Sequence, residues 1–255
     1  MEEMNNEEIK LKILRTLYDK YFEGQIDTFQ KTEDVIKKSA LDGEERNMME
    51  GNLVYLDNDE YIHGITNLID TYPRDMKISS RGIDFVEEHD IELRDFHNAI
   101  RFRVLAILHG LHFGGHIGKA MDTDMMAKEL SVFGGTVDDI RGDVNYLHSK
   151  GFIWGREVNG IQYPDQVMIL NPGIDVVDSI AEQSINGLEQ ANLDSETQAI
   201  VSEIKQSDKK GRVEKLKELY DSNKQYAKEI IVETIKQAII RAFRGDSNFG
   251  SSLGN

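Results

Sequence analysis

Apolar residues recur along the first ninety positions in two alternating rhythms. Ile9, Leu11, Ile13, Leu14, Leu17, Tyr18, Tyr21 and Phe22 follow the three-to-four spacing of one helix face. That spacing predicts a first helix over residues 9–22, ended by Gly24. A second helix is expected over residues 32–40, with Thr32 as its N-cap and the acidic Glu33 and Asp34 in its first turn. A third follows over residues 44–57, with Met49, Leu53 and Leu56 inward. Two extended runs come next, around residues 61–63 and 76–79, joined by a loop that contains Pro73. Ser80-Arg81-Gly82 then opens a fourth helix to about residue 88.

The chain writes this pattern twice. Tyr55-Leu56 and Tyr61-Ile62-His63-Gly64 return as Tyr146-Leu147 and Phe152-Ile153-Trp154-Gly155. Tyr72-Pro73 returns as Tyr163-Pro164, and Gly82-Ile83-Asp84 as Gly173-Ile174-Asp175. At this single offset of 91, 21 of the 78 positions from 9 to 86 are identical, with no gap. The period is too long for a solenoid and implies two copies of one small domain. In the second copy, helices are expected over residues 93–109, 123–132, 136–149 and 171–182, with Thr123 capping the second. Gly134-Gly135 turns the chain between the second and third, and Thr136 with Asp139 forms a capping box. Asn159-Gly160 is a two-residue hairpin signal that predicts a short wing. Asn171-Pro172 is an N-cap with proline at the first helical position.

Three helices, a hairpin and a closing helix, with a tight turn between helices two and three, describe a winged helix. The recurring Tyr-Leu, (Tyr/Phe)-Ile-x-Gly and Gly-Ile-Asp elements resemble winged-helix-turn-helix domains of prokaryotic transcription regulators. The resemblance covers residues 7–183. It implies that the third helix of a copy enters the major groove of DNA while the wing touches the backbone or minor groove. The fold class expected is mainly α with small β-hairpins (α+β). Residues 1–91 and 92–183 form two tandem winged-helix domains, residues 184–245 a C-terminal helical hairpin, and residues 246–255 a disordered tail. In that C-terminal region residues 183–192 read as a linker and 195–206 as a short helix. A long helix over residues 212–243 carries a stripe of Val213, Leu216, Leu219, Ile230, Ile231, Ile235, Ala238 and Ile239. The stripe predicts a homodimer through these helices, or packing on the chain's own domain.

Charge changes the picture. The chain carries −16 overall, distributed as −11 over residues 1–91, −5 over 92–182 and zero over 183–255. An acidic surface repels phosphate, so DNA binding has to be local. There is no cysteine, which excludes disulfides and thiolate zinc sites and fits a cytoplasmic protein. No run is long and apolar enough to span a bilayer. There is no glycine-rich phosphate loop, nucleophile elbow or metalloprotease motif, so neither an enzymatic activity nor a cofactor is expected. His109, His112 and His116 have helical spacing, but the glycines among them predict a helix end there rather than a metal site.

The outward positions of the two third helices differ in chemistry. The first copy offers Glu50, Val54 and Asp57. The second offers Arg141, Asn145 and His148, with Lys150 following and Arg156 at the start of the wing. Arginine can bond guanine bidentately and asparagine adenine, so these five residues are the candidate DNA-binding set. The function expected from the sequence is a DNA-binding transcriptional regulator whose second copy reads duplex DNA; the alternative is an acidic tandem winged-helix module that binds a protein partner and no DNA.

Overall fold

A computed structural model describes residues 5–41, 44–67, 69–191, 193–221, 227 and 229–234, with backbone alone at 44–47, 209, 210, 217, 220 and 221. The protein is mainly helical with two small antiparallel sheets. The first copy runs α1 (Asn6–Phe22), β1 (Gln30–Lys31), α2 (Thr32–Lys38), α3 (Glu44–Asn58), β2 (Ile62–Ile65), β3 (Asp75–Ile78) and α4 (Ser80–His89). The second runs α5 (Ile91–Phe113), β4 (Met121–Asp122), α6 (Thr123–Ser131), α7 (Val137–Ser149), β5 (Ile153–Arg156), β6 (Gln166–Ile169) and α8 (Asn171–Gln190). Two further helices follow, α9 (Ser195–Gln206) and α10 (Lys209–Asp221). The sheets have the same order, β1-β3-β2 and β4-β6-β5. Their registers are also the same: Ile62 pairs with Ile78, and Ile153 with Ile169. The same order of helices and strands is thus present twice.

Residues shared at the 91-residue offset sit where backbone geometry leaves little choice. The buried hydroxyls of Thr32 and Thr123 donate to the carbonyls of Pro73 and Pro164. A Cβ on Gly64 or Gly155 would lie 2.5 Å from the ring of the same proline. A Cβ on Gly82 or Gly173 would overlap the carbonyl of Tyr61 or Phe152. The same carbonyls accept from Ser79 and Leu170, which fastens the end of each hairpin to the start of its closing helix. Threonine, glycine and proline thus recur because the wing approaches the helices at backbone distance.

The two threonines are therefore not caps. Lys31 and Asp122 hold the cap positions, and Asp122 accepts from the Met125 amide at 2.8 Å. The wing also departs from the expected short hairpin. Pairing ends at Arg156↔Gln166, and Asn159-Gly160 lies inside a loop over residues 157–165. Asn171 is the first helical residue of α8 rather than its cap, which is Leu170. The first helix of the second copy continues through Gly110 to Phe113.

Contacts divide the chain into two compact units, residues 1–94 with 159–163 and residues 95–158 with 164–255. In the first unit Ile9, Ile13, Leu14 and Leu17 pack with Leu53, Leu56, Ile83 and Val86 among the buried residues. In the second unit the core continues past the duplicated part. The expected linker is instead the last turns of α8, which bury Ser184, Ile185 and Leu188. Ile185 and Leu188 join Val201, Ile204, Val213, Leu216, Leu219, Ala227 and Ile231 in one apolar cluster with Val104, Leu105 and Ile180. The described part of the C-terminal stripe thus packs within its own unit. The remainder of the stripe, residues 235–243, and the tail 246–255 lie outside the described residues.

The helix that receives this packing is altered to suit. Where α1 carries Arg15, Thr16, Asp19 and Lys20, α5 carries Ala106, Ile107, Gly110 and Leu111. Ala106 is buried, and these residues with Val213 line a groove of about 390 Å³ beside α10.

Candidate nucleic-acid interface

The start of α7 is fixed locally. Thr136 Oγ1 accepts from the Asp139 amide at 3.0 Å, and the Asp139 carboxylate accepts from the Thr136 amide at 2.6 Å. Gly134 and Gly135 stand at φ of 115° and 85°, which gives the tight turn from α6. Ile140, Val144 and Leu147 bury one face of α7. Arg141, Asn145 and His148 are then left half-buried on its flank.

Arg141 is occupied within the chain. Its Nε and Nη2 lie 3.0 and 2.9 Å from Asp124 Oδ1 on α6, and its Nη1 lies 2.9 Å from Asp138 Oδ1. A guanidinium offers five donors, and two carboxylates here take three of them. Each such partly exposed pair contributes about 0–1 kcal/mol. A bidentate guanine contact gives about 1–3 kcal/mol of discrimination. Releasing Arg141 would therefore consume much of what it could gain.

Arg156 is held in the same way. Its Nε donates to Asp165 Oδ1 at 2.9 Å and its Nη2 to Asp165 Oδ2. This hydrogen-bonded guanidinium holds the Asp165 carboxyl below its usual value. His148 has a structural task. Its Nδ1 lies 3.3 Å from the Ile153 carbonyl, and its Nε2 lies 3.6 Å from Glu157. The same position in the first copy is Asp57, which accepts from the Gly64 amide at 2.8 Å. Both side chains tie the third helix to its wing. Lys150 caps α7, with Nζ 5.5 Å from the Tyr146 ring centroid.

The five residues thus line α7 and the adjoining strand, but carboxylates close on both arginines. Sequence reading missed Asp124 and Asp165. A helix-turn-helix brings the first turns of α6 and α7 together, so an acid at the start of one could have been paired with an arginine early in the other. Strand register does the same for residues 156 and 165.

A second constellation lies beneath α7. Asp143 is fully buried and takes two partners from α5: Arg101 Nε at 2.7 Å and His97 Nδ1 at 2.9 Å. The Arg101 guanidinium stacks 3.8 Å from the Tyr146 ring centroid. In the first copy these positions are Asn52, Lys10, Asn6 and Tyr55. Asn52 donates to Asn6 at 3.1 Å, and Lys10 lies 4.3 Å over Tyr55. The geometry recurs with weaker charges. Tyr146 is 0% exposed, whereas Tyr55 is 44% exposed.

The three spaced histidines do not converge. His109 of α5 is buried and bonded to Asp178 of α8, while His116 lies beyond the end of α5. Among the described residues no group of three potential ligands could hold a metal, and no helix is long and apolar enough to cross a membrane. No protein-family model, curated protein or solved structure matches the chain.

Proposed function

We propose that this tandem winged-helix protein is a cytoplasmic protein-interaction module that self-associates through its C-terminal segment. The observation that carries the reading is the double engagement of Arg141 by Asp124 and Asp138. The residue best suited to read a base is neutralised in place, on a chain of net charge −16. The third helix of the first copy supports the same reading. It presents Glu50, Val54 and Tyr55 outward, an acidic and apolar surface that suits a protein and repels a phosphate backbone.

The second reading is duplex DNA binding by the second copy, as a transcriptional regulator. It is favoured by the placement of Arg141, Asn145 and His148 along α7, with Lys150 and Arg156 nearby. Fluorescence anisotropy at low salt, on genomic fragments selected by the protein itself, separates the two. The interaction reading expects no enriched fragment. It is overturned by a fragment that binds wild type and loses tenfold or more in affinity with Arg141→Ala.

A further inference from the structure

The duplication exposes in one copy a face that the other buries. In the first copy four rings run in a continuous row. Tyr55 lies 6.4 Å from Tyr61, Tyr61 lies 5.3 Å from Phe85, and Phe85 lies 4.4 Å from His89, between ring centroids. Tyr55 and His89 are exposed, and Tyr61 and Phe85 are half-buried. At the offset of 91 the same positions in the second copy are Tyr146, Phe152, Val176 and Ile180, exposed by only 0%, 6%, 2% and 1%. Phe152, Val176 and Ile180 belong to the apolar cluster that also holds Val213, Leu216, Leu219, Ala227 and Ile231. The chain's C-terminal helical sequence therefore shares the core into which this face is buried in the second copy.

The first-copy face keeps the apolar surface and adds acidic surroundings. Asp59 lies against the Tyr55 hydroxyl, and Glu60 and Glu88 are exposed nearby in sequence to Tyr61 and His89. Residues 1–91 carry −11. One stretch of the chain complements this in both respects. Residues 235–244 place Ile235, Ala238, Ile239 and Ala242 at helical spacing, with Lys236, Arg241, Arg244 and no carboxylate. We infer that residues 235–244 of one chain dock on the Tyr55–Tyr61–Phe85–His89 face of a second copy.

Such docking is a heterologous contact that two chains can make reciprocally. Cationic side chains over tyrosine faces add to burial, as Lys10 over Tyr55 and Arg81 over Tyr61 (4.3 and 4.7 Å) already do. The inference rests on the interaction reading above, but the two fail separately. DNA binding in the anisotropy assay removes that reading and leaves this docking untouched, and a dimer indifferent to the face variants removes this docking alone.

The test is sedimentation velocity of the full chain at low ionic strength. Wild type is expected to dimerise, with an affinity that falls as salt rises. Ile239→Glu in the docking segment, and Tyr55→Glu or His89→Glu on the face, should each weaken the dimer at least tenfold. His89 and Tyr55 are exposed, so these changes leave the core intact. An equimolar mixture of Ile239→Glu with Tyr55→Glu retains one intact segment and one intact face, and should recover a heterodimer. A monomeric wild type overturns the inference. So does a dimer indifferent to the face variants, or one that mixing fails to restore.

Discussion

His109 and Asp178 meet in the second copy at the two positions where Tyr18 and Glu87 meet in the first. The Nε2–H of His109 donates to Asp178 Oδ1 at 3.1 Å, and the Tyr18 hydroxyl donates to Glu87 Oε1 at 3.2 Å. In both copies the bond joins the first helix to the last. The tie is kept although both partners differ between the copies. A carboxylate accepts only, so the imidazole proton sits on Nε2, and Nδ1 stays buried without a partner.

Asp178→Ala should therefore cost about 1–3 kcal/mol, because it leaves the buried ring with no bonded nitrogen. The double variant His109→Phe/Asp178→Ala should recover part of that loss, since it removes both ends of the bond. Urea unfolding of the four proteins in the cycle measures the coupling. Additive losses would show that the pair contributes nothing beyond packing.

The Asp143 site should be the more costly to break. Asp143→Ala removes the carboxylate that meets the buried Arg101 guanidinium at 2.7 Å, a loss of about 3–5 kcal/mol. Asn52→Ala, at the equivalent position, removes neutral hydrogen bonds and should cost about 1 kcal/mol. Thermal unfolding of the two variants ranks them directly.

Arg156 and Asp165 predict a pH effect with a definite sign. The hydrogen bond from Arg156 lowers the Asp165 pKa below its usual 3.8. A depressed carboxyl stabilises the fold above its unfolded value and loses that contribution as pH falls through the folded one. The stability difference between wild type and Arg156→Ala should be present at neutral pH and vanish below that acid range. In a carboxyl-carbon NMR titration, Arg156→Ala should move the Asp165 midpoint upward. An unmoved midpoint would contradict the pairing.

Two glycines should respond in opposite directions to the same change. Gly173→Ala forces a Cβ onto the Phe152 carbonyl and should destabilise by about 1–3 kcal/mol. Gly110→Ala, inside α5 with nothing within 4 Å of the added carbon, should stabilise by up to about 1 kcal/mol. Differential scanning calorimetry of both variants checks the contrast.

The sequence by itself determined the duplication, the helices and the faces they bury. Ile9, Leu14 and Leu17 and their counterparts Ile100, Leu105 and Leu108 carry a period that only a helix against a core explains. The Thr136–Asp139 cap and the bounds of α9 were legible for the same reason, since their partners lie within a few residues. Tertiary structure decided what depends on remote partners. Thr32 and Thr123 look like caps in sequence, but carbonyls 41 residues away claim their hydroxyls. Asn159-Gly160 carries a hairpin signal, yet strand register places it inside a longer wing loop. Residues 183–190 look polar as a string, while α8 turns Ser184, Ile185 and Leu188 into one core. Arg141 looks available because its helix is amphipathic, and it is closed because α6 brings Asp124 against it. Periodicity reports which face of an element is apolar. Which charge meets which is set by how the elements pack, and no local pattern in the chain encodes that distance.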